Sequence, residues 1–397
     1  MLTPLQRAAI PLAVAQTLTW ASLYYVFPAM LPTWQAVFGW SKPELSGAFT
    51  TSLMVTAIAA PAIGTLIDHG YGRSVFTGGM ALGAVLLMLL PEVQKIWQFY
   101  ALWIGIGIAM SASLYEACFT IITRIIGSQA RDVITIVTLF GGFAGTLAFP
   151  SAHLLVDAYG WQIALRVFSV VVLFISLPCT VYGINGLQPF AEKIEPRVRG
   201  KSGEIMCQGA FWMLGIAFGT IGLAHGAILT HLLFILEENG SPIWFAVLTV
   251  SMIGPMQVLG RLLVLATAQR INTFGAAIGC YTSMILGTAA LFATQFNPWI
   301  ALFFVSSYGA GYGVVSIVRP TITAEFLGRQ SFGTVFGMLA IPFMTGFAIG
   351  PTVAALIWEL SGYDAVLLGV GIVLVFGLAA IILARHLAPR NWQTCAT

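Results

Sequence analysis

Apolar runs long enough to cross a lipid bilayer recur along almost the whole chain, and no soluble fold could bury them all. They fall near residues 10–32, 44–67, 75–91, 98–122, 133–156, 161–184, 209–236, 243–268, 273–294, 298–321, 332–357 and 364–385. A spanning helix needs about 20 apolar residues for a hydrocarbon core of roughly 30 Å. The pattern therefore predicts an all-α integral membrane protein with twelve transmembrane helices. Only 8% of the 397 residues are charged and 58% are apolar, where a soluble domain carries roughly 25% charge. The lipid bilayer is the first partner implied. A net charge of +3 spread over such a chain gives no footprint for nucleic acid. The first run is too long, and lacks the small-residue cleavage site, for a cleaved signal peptide.

Basic residues set the expected orientation. With the N-terminus inside, Arg7, Arg73, Arg124, Arg131, Lys193, Arg197, Arg199, Lys201, Arg270, Arg329, Arg385 and Arg390 fall on the cytoplasmic side. Only Lys42 and Lys95 fall opposite. The positive-inside rule then places both termini in the cytoplasm of a cell with the protein in its inner membrane. The five cysteines are odd in number and lie mostly inside apolar runs, so no disulfide framework is expected.

A basic, proline-containing stretch at 186–208 divides the chain into residues 1–185 and 209–397, each with six spans. A shift of 201 residues aligns Thr120 with Thr321, Gly127 with Gly328, Gln129 with Gln330, Gly145 with Gly346 and Pro150 with Pro351. Two pseudo-symmetric six-helix bundles follow, a plan that transporters use around a midplane substrate site.

The loop after the second span reads from Gly64 through Asp68 and Gly72 to Arg73. It resembles the loop signature of the major facilitator superfamily, with one extra residue before Gly72. The resemblance covers essentially the whole chain and implies alternating access in a monomer. By the same resemblance Asp68, Arg73, Arg124 and Glu325 would latch the halves at the cytoplasmic side, where end charges can exchange partners between two states. The run Phe38-Gly39-Trp40-Ser41 with Ser46-Gly47-Ala48-Phe49 is similar to the monocarboxylate and oxalate–formate porter branch. The drug-antiporter pattern is not matched: Gly141, Gly142 and Gly145 precede Phe149-Pro150, and Tyr115 and Glu116 stand where an arginine is expected in span four.

Ionisable residues inside spans are costly and point to function. Glu116 lies eleven residues before Gly127 and Arg319 nine before Gly328, about 16 Å and 13 Å at 1.5 Å per residue. The repeat thus gives a carboxylate and a guanidinium similar depth in opposite halves. A solute carboxylate could replace Glu116 as the bidentate partner of Arg319, freeing Glu116 to take a proton. A permanent ion pair, or an arginine snorkelling to the surface, is the structural alternative. Trp20, Tyr24 and Tyr115, with Tyr308 and Tyr312, are candidate binding aromatics. His225 and His231 are candidate proton carriers.

Two other classes stay open. Met252 and Met256 share a helix face, and with His225 and Cys118 they could hold Cu(I) or a trivalent arsenical. A non-transporting membrane sensor would not need the gate charges. No phosphate-cradling loop or catalytic cluster is present, so neither an enzyme nor a cofactor is expected. The leading expectation is proton-coupled transport of a small organic anion or zwitterion.

Overall fold

A computed structural model describes residues 3–192, 201–267 and 270–388 of the chain. Lys193, Arg197, Arg199 and Arg390 of the basic set lie outside the described residues.

Nine continuous apolar helical stretches long enough to cross a membrane appear among the described residues. Three of them carry two spans each. The stretch Pro43–Glu92 turns at Gly70 (φ 94°), and Phe332–Leu387 turns at Gly362 (φ 75°). Ile96–Tyr159 turns through the short 3-10 segment Gly127–Gln129. The chain is thus the twelve-helix bundle its apolar runs imply. Span one is Pro4–Phe38, span two Lys42–Leu66 and span three Gly72–Leu89. Span four has two pieces, Ile96–Ser113 and Tyr115–Ile126, and so has span five, Ala130–Gly141 and Ala144–Tyr159. Spans six to ten are Trp161–Phe190, Gly209–Glu238, Ile243–Ala266, Thr273–Ala293 and Ala301–Leu327. Spans eleven and twelve occupy residues 332–361 and 363–387.

Glycines with positive φ mark the same places in each half of the sequence. Gly39 and Gly240 follow spans one and seven, and Gly127 and Gly328 follow spans four and ten. Both pairs are 201 residues apart. Only glycine enters this backbone region without steric cost, so the duplication survives as turn geometry where side chains have diverged.

Contacts gather the chain into two compact units. Unit 1 is Met1–Arg199 with Arg329–Met338; unit 2 is Gly200–Gly328 with Leu339–Thr397. Unit 1 is built around an aromatic core in which Phe27, Trp34, Phe99 and Trp103 meet edge to face or tilted. Prolines shape its helices. A π turn at Ala21–Tyr25 precedes Pro28, and another at Val172–Ser176 precedes Pro178. In each case the proline ring displaces the carbonyl four residues back, and the turn widens to accommodate it.

Unit 2 is knit by glycines. A Cβ on Gly222 would strike the Phe343 carbonyl, and one on Gly226 would strike that of Phe347; Gly346 meets the Gly219 carbonyl in return. Spans seven and eleven therefore run backbone against backbone, the contact that small residues permit in lipid.

Candidate functional site

The signature loop carries the densest polar chemistry of unit 1. Its extra residue is absorbed as a π turn, Ile67–Tyr71, the usual form of a single inserted residue in a helix. The Asp68 carboxylate, almost fully buried, accepts from the backbone N–H groups of Gly333 (2.9 Å) and Thr334 (2.8 Å) and from the Thr334 hydroxyl (2.9 Å). These are the open donors at the start of span eleven, where a helix N-terminus attracts negative charge. Arg124 approaches Asp68 at 3.5 Å and also donates to its backbone carbonyl.

The expected Asp68–Arg73 pair is not formed. Arg73 donates instead to the Asn185 side chain on span six at 3.2 Å, because the π turn and the positive φ of Gly70 turn span three away from Asp68. Glu325 belongs to unit 2, partly buried near the end of span ten.

Glu192, for which no sequence signal stands out, forms a second clasp in unit 1. Its carboxylate accepts from the Ser128 backbone N–H (3.0 Å) and hydroxyl and from Arg329 (2.7 Å). Burial alone would raise this carboxyl, but the Ser128 and Arg329 contacts outweigh it and hold it below the ordinary value of 4.5. A depressed carboxyl contributes stability above its unfolded value and loses it as pH falls through the folded one. Glu192→Gln should therefore lower the melting temperature by about 1–3 °C at neutral pH, as a half-exposed pair allows. The difference should vanish in melts taken below the folded carboxyl value.

Span four is broken where no proline announces it. Leu114 leaves helical geometry (ψ −160°), and a new helix begins at Tyr115. The buried Gln16 amide of span one donates to the Ser113 carbonyl at 2.8 Å, satisfying an acceptor the break exposes. Glu116 thus occupies the first turn of a helix that starts within the membrane, where acidic side chains are favoured. From Glu116 a narrow crevice of about 180 Å3, too tight to admit water, runs past Thr120 and Gly64 to Gly333.

The aromatics predicted in this half do converge. Trp20 lies 4.8 Å from Tyr115 and 5.1 Å from Tyr24, ring centre to ring centre. Tyr25 and Phe119, not foreseen, complete the cluster. Gly141 leaves room for the Tyr115 hydroxyl, which a Cβ there would push aside. Cys118 is buried on the same short helix.

In unit 2, Arg319 is 6% exposed. Its guanidinium lies 3.9 Å from the Phe343 ring centre and 5.5 Å from that of Phe218. Tyr312 stacks on His225 at 3.3 Å, and Tyr308 and Phe347 lie 6.1 Å and 6.0 Å from the same imidazole. Neither phenylalanine of span eleven, nor Phe218, was visible as a motif. His231 is tied on both sides: Nε2 donates to the Pro351 carbonyl (3.1 Å), so Nδ1 accepts from the Tyr363 hydroxyl (3.1 Å) in the neutral ring.

Of the soft-metal set, Met252 and Met256 lie on span eight and His225 on span seven. Met256 packs on the span-ten backbone at Gly309. His225 is held in the aromatic stack, and Cys118 belongs to unit 1. Among the described residues no three His, Cys, Asp or Glu side chains gather to hold a metal ion.

A twelve-helix bundle with a duplicated turn pattern and a buried carboxylate in the loop after span two defines a membrane transporter, and the chain belongs to the Major Facilitator Superfamily. The family model matches residues 12–341. Among its relatives, the multidrug resistance protein MdtG of Citrobacter koseri is 25% identical over 80% of this chain and 79% of its own length. MdtG of Salmonella arizonae is 26% identical over the same shares. The fold matches that of the E. coli fucose:proton symporter FucP (TM-score 0.71, 13% identity, 98% of this chain and 100% of that one). It also matches the proton:xylose symporter XylE (0.69, 12%, 96% of each) and the human organic anion transporter MFSD10 (0.67, 14%, 95% and 99%). Members of this superfamily are membrane transporters rather than enzymes.

Proposed function

We propose that the protein is a proton-coupled secondary transporter of a small organic anion, set in the inner membrane with both termini cytoplasmic. Its two six-span halves, residues 1–185 and 209–397, work by alternating access, and Arg319 is the anion anchor. The observation that carries this reading is a buried arginine inside span ten with its flat face on an aromatic ring. Phe343 and Phe218 keep water from the faces of the guanidinium. A carboxylate must then approach along the N–H edge, in the bidentate geometry arginine favours. Relatives named for multidrug resistance are in keeping with an organic solute.

Glu116 carries the proton in this reading. Its carboxylate sits inside span four on the first turn of a broken helix, a place where a proton can be passed on as the carrier alternates. Glu116→Gln mimics the protonated state. The variant should keep solute exchange between two sides of equal pH yet lose at least about 90% of pH-driven accumulation, as expected when a proton carrier acts through its charge alone. Reconstituted vesicles with an imposed pH gradient provide the measurement. Undiminished proton movement with the solute in that variant would remove Glu116 from the coupling.

A further inference from the structure

The side chains around Arg319 and His225 form two layers of one column inside unit 2. Phe218 and His225 lie on span seven, Tyr308, Tyr312 and Arg319 on span ten, and Phe343 and Phe347 on span eleven. The spacings of four, seven and eleven residues keep each set on one helix face. One layer holds Arg319 against Phe343 and Phe218; the other holds His225 among Tyr312, Tyr308 and Phe347. The layers are four residues apart on span eleven and seven apart on spans seven and ten, about 6 Å and 10 Å at 1.5 Å per residue.

The second layer contains two polar atoms that the fold does not satisfy. His225 is 4% exposed and Tyr308 fully buried. His225 Nδ1 and the Tyr308 hydroxyl have no hydrogen-bond partner among the described residues. Buried polar groups are satisfied almost without exception, so each such atom asks for an explanation. Tyr308 is also fixed in place, since a Cβ on Gly287 would strike its own Cβ. Tyr308 cannot shift toward a new partner without repacking that helix contact.

We infer that the transported anion is an aryl carboxylate bearing a hydroxyl or similar hydrogen-bonding group on the ring edge opposite the carboxylate. This rests on the reading of Arg319 as anion anchor. The carboxylate meets Arg319, the ring lies along the aromatic walls, and the distal hydroxyl reaches His225 Nδ1 and the Tyr308 hydroxyl. A benzene ring with its carboxylate and distal hydroxyl, and a hydrogen bond at each end, covers roughly 10 Å, the wider of the two separations. Sites built to hydrogen-bond a hydroxyl discriminate strongly against the analogue that lacks it.

The test uses the full chain purified in detergent and titrated calorimetrically with benzoate, para-hydroxybenzoate and cyclohexanecarboxylate. Para-hydroxybenzoate should bind roughly tenfold or more tightly than benzoate, the worth of one hydrogen bond of ordinary strength. Cyclohexanecarboxylate should bind more weakly than benzoate. Tyr308→Phe and His225→Phe should each shrink the ratio of para-hydroxybenzoate to benzoate affinity, and Arg319→Gln should abolish binding of all three. Tyr308→Phe removes one oxygen and preserves the packing, so its result does not depend on tolerance of a larger change. A wild-type protein without hydroxyl preference, or a preference that survives both variants, overturns the inference while the anion reading stands. Benzoate binding that survives Arg319→Gln overturns the anion reading itself.

Discussion

Replacement of Arg319 by lysine should cost the carrier most of its affinity for organic anions, although the positive charge is kept. The guanidinium is planar and lies against Phe343 at 3.9 Å, a contact the compact, strongly hydrated ammonium of lysine cannot reproduce. Lysine also lacks the forked donors that bind both carboxylate oxygens. Hydrogen bonds to charged groups contribute about 1.5–3 kcal/mol each. Losing one of the two therefore predicts a fall in affinity of roughly 10- to 150-fold. Calorimetry with the purified protein would read it directly, and counterflow in vesicles should fall in step. A lysine variant of full affinity would show that charge alone is read and would dismiss edge-on recognition. Melting curves form the control: truncating the side chain to alanine leaves a gap between Phe218 and Phe343, so stability should fall with Arg319→Ala more than with Arg319→Lys.

The fold was legible because lipid imposes one rule on every segment, namely a run of apolar residues of fixed length. The positions of the twelve spans follow from it. Breaks inside spans do not, because hydropathy averages over them. Leu114 interrupts span four although it is an ordinary helix former, and the buried Gln16 that makes the break affordable lies 97 residues from the Ser113 carbonyl it binds. The position of Glu116 within span four was readable, but its place at a helix start was not. At the loop after span two, Asp68 stood out in the signature and its partners did not. Backbone donors at Gly333 and Thr334 leave no trace in side-chain chemistry, and the π turn that moves Arg73 to Asn185 shows in the sequence only as one residue too many. Glu192 resembled any solvated linker acid. In unit 2, Arg319 and His225 stood out as rare polar residues in apolar spans, while Phe218, Phe343 and Phe347 were lost among 27 phenylalanines.

The Asp68 clasp depends on a residue with no side chain, and Gly64→Ala should break it. Gly64 and Gly333 touch through their backbones: a Cβ on Gly64 would land on the Gly333 carbonyl oxygen, and a Cβ on Gly333 on that of Gly64. One turn on, Gly337 meets the Ala60 carbonyl in the same way. No rotamer change can relieve a collision with a main chain, so residues 329–338 must shift away from span two. The three bonds that Asp68 accepts from Gly333 and Thr334 would stretch together. Asp68 would remain nearly buried with only Arg124 beside it, a loss on the order of 3–5 kcal/mol for a buried charge stripped of partners. Ser331, held at φ 55° just before span eleven, would be free to relax, offsetting about 1 kcal/mol of that loss. The remainder corresponds to a faster exchange of the Gly333 and Thr334 amides by at least about 30-fold. Hydrogen exchange followed on peptides covering 329–338 would read this. Asp68→Asn should have a smaller effect on the same amides, because it removes the charge and keeps the glycine contact. If Gly64→Ala left their exchange unchanged, the close approach of spans two and eleven would not be what holds Asp68 at the helix start. The crevice from Glu116 ends at this same Gly64–Gly333 contact, so the variant should also alter the pH dependence of transport, which Asp68→Asn should leave closer to the wild type.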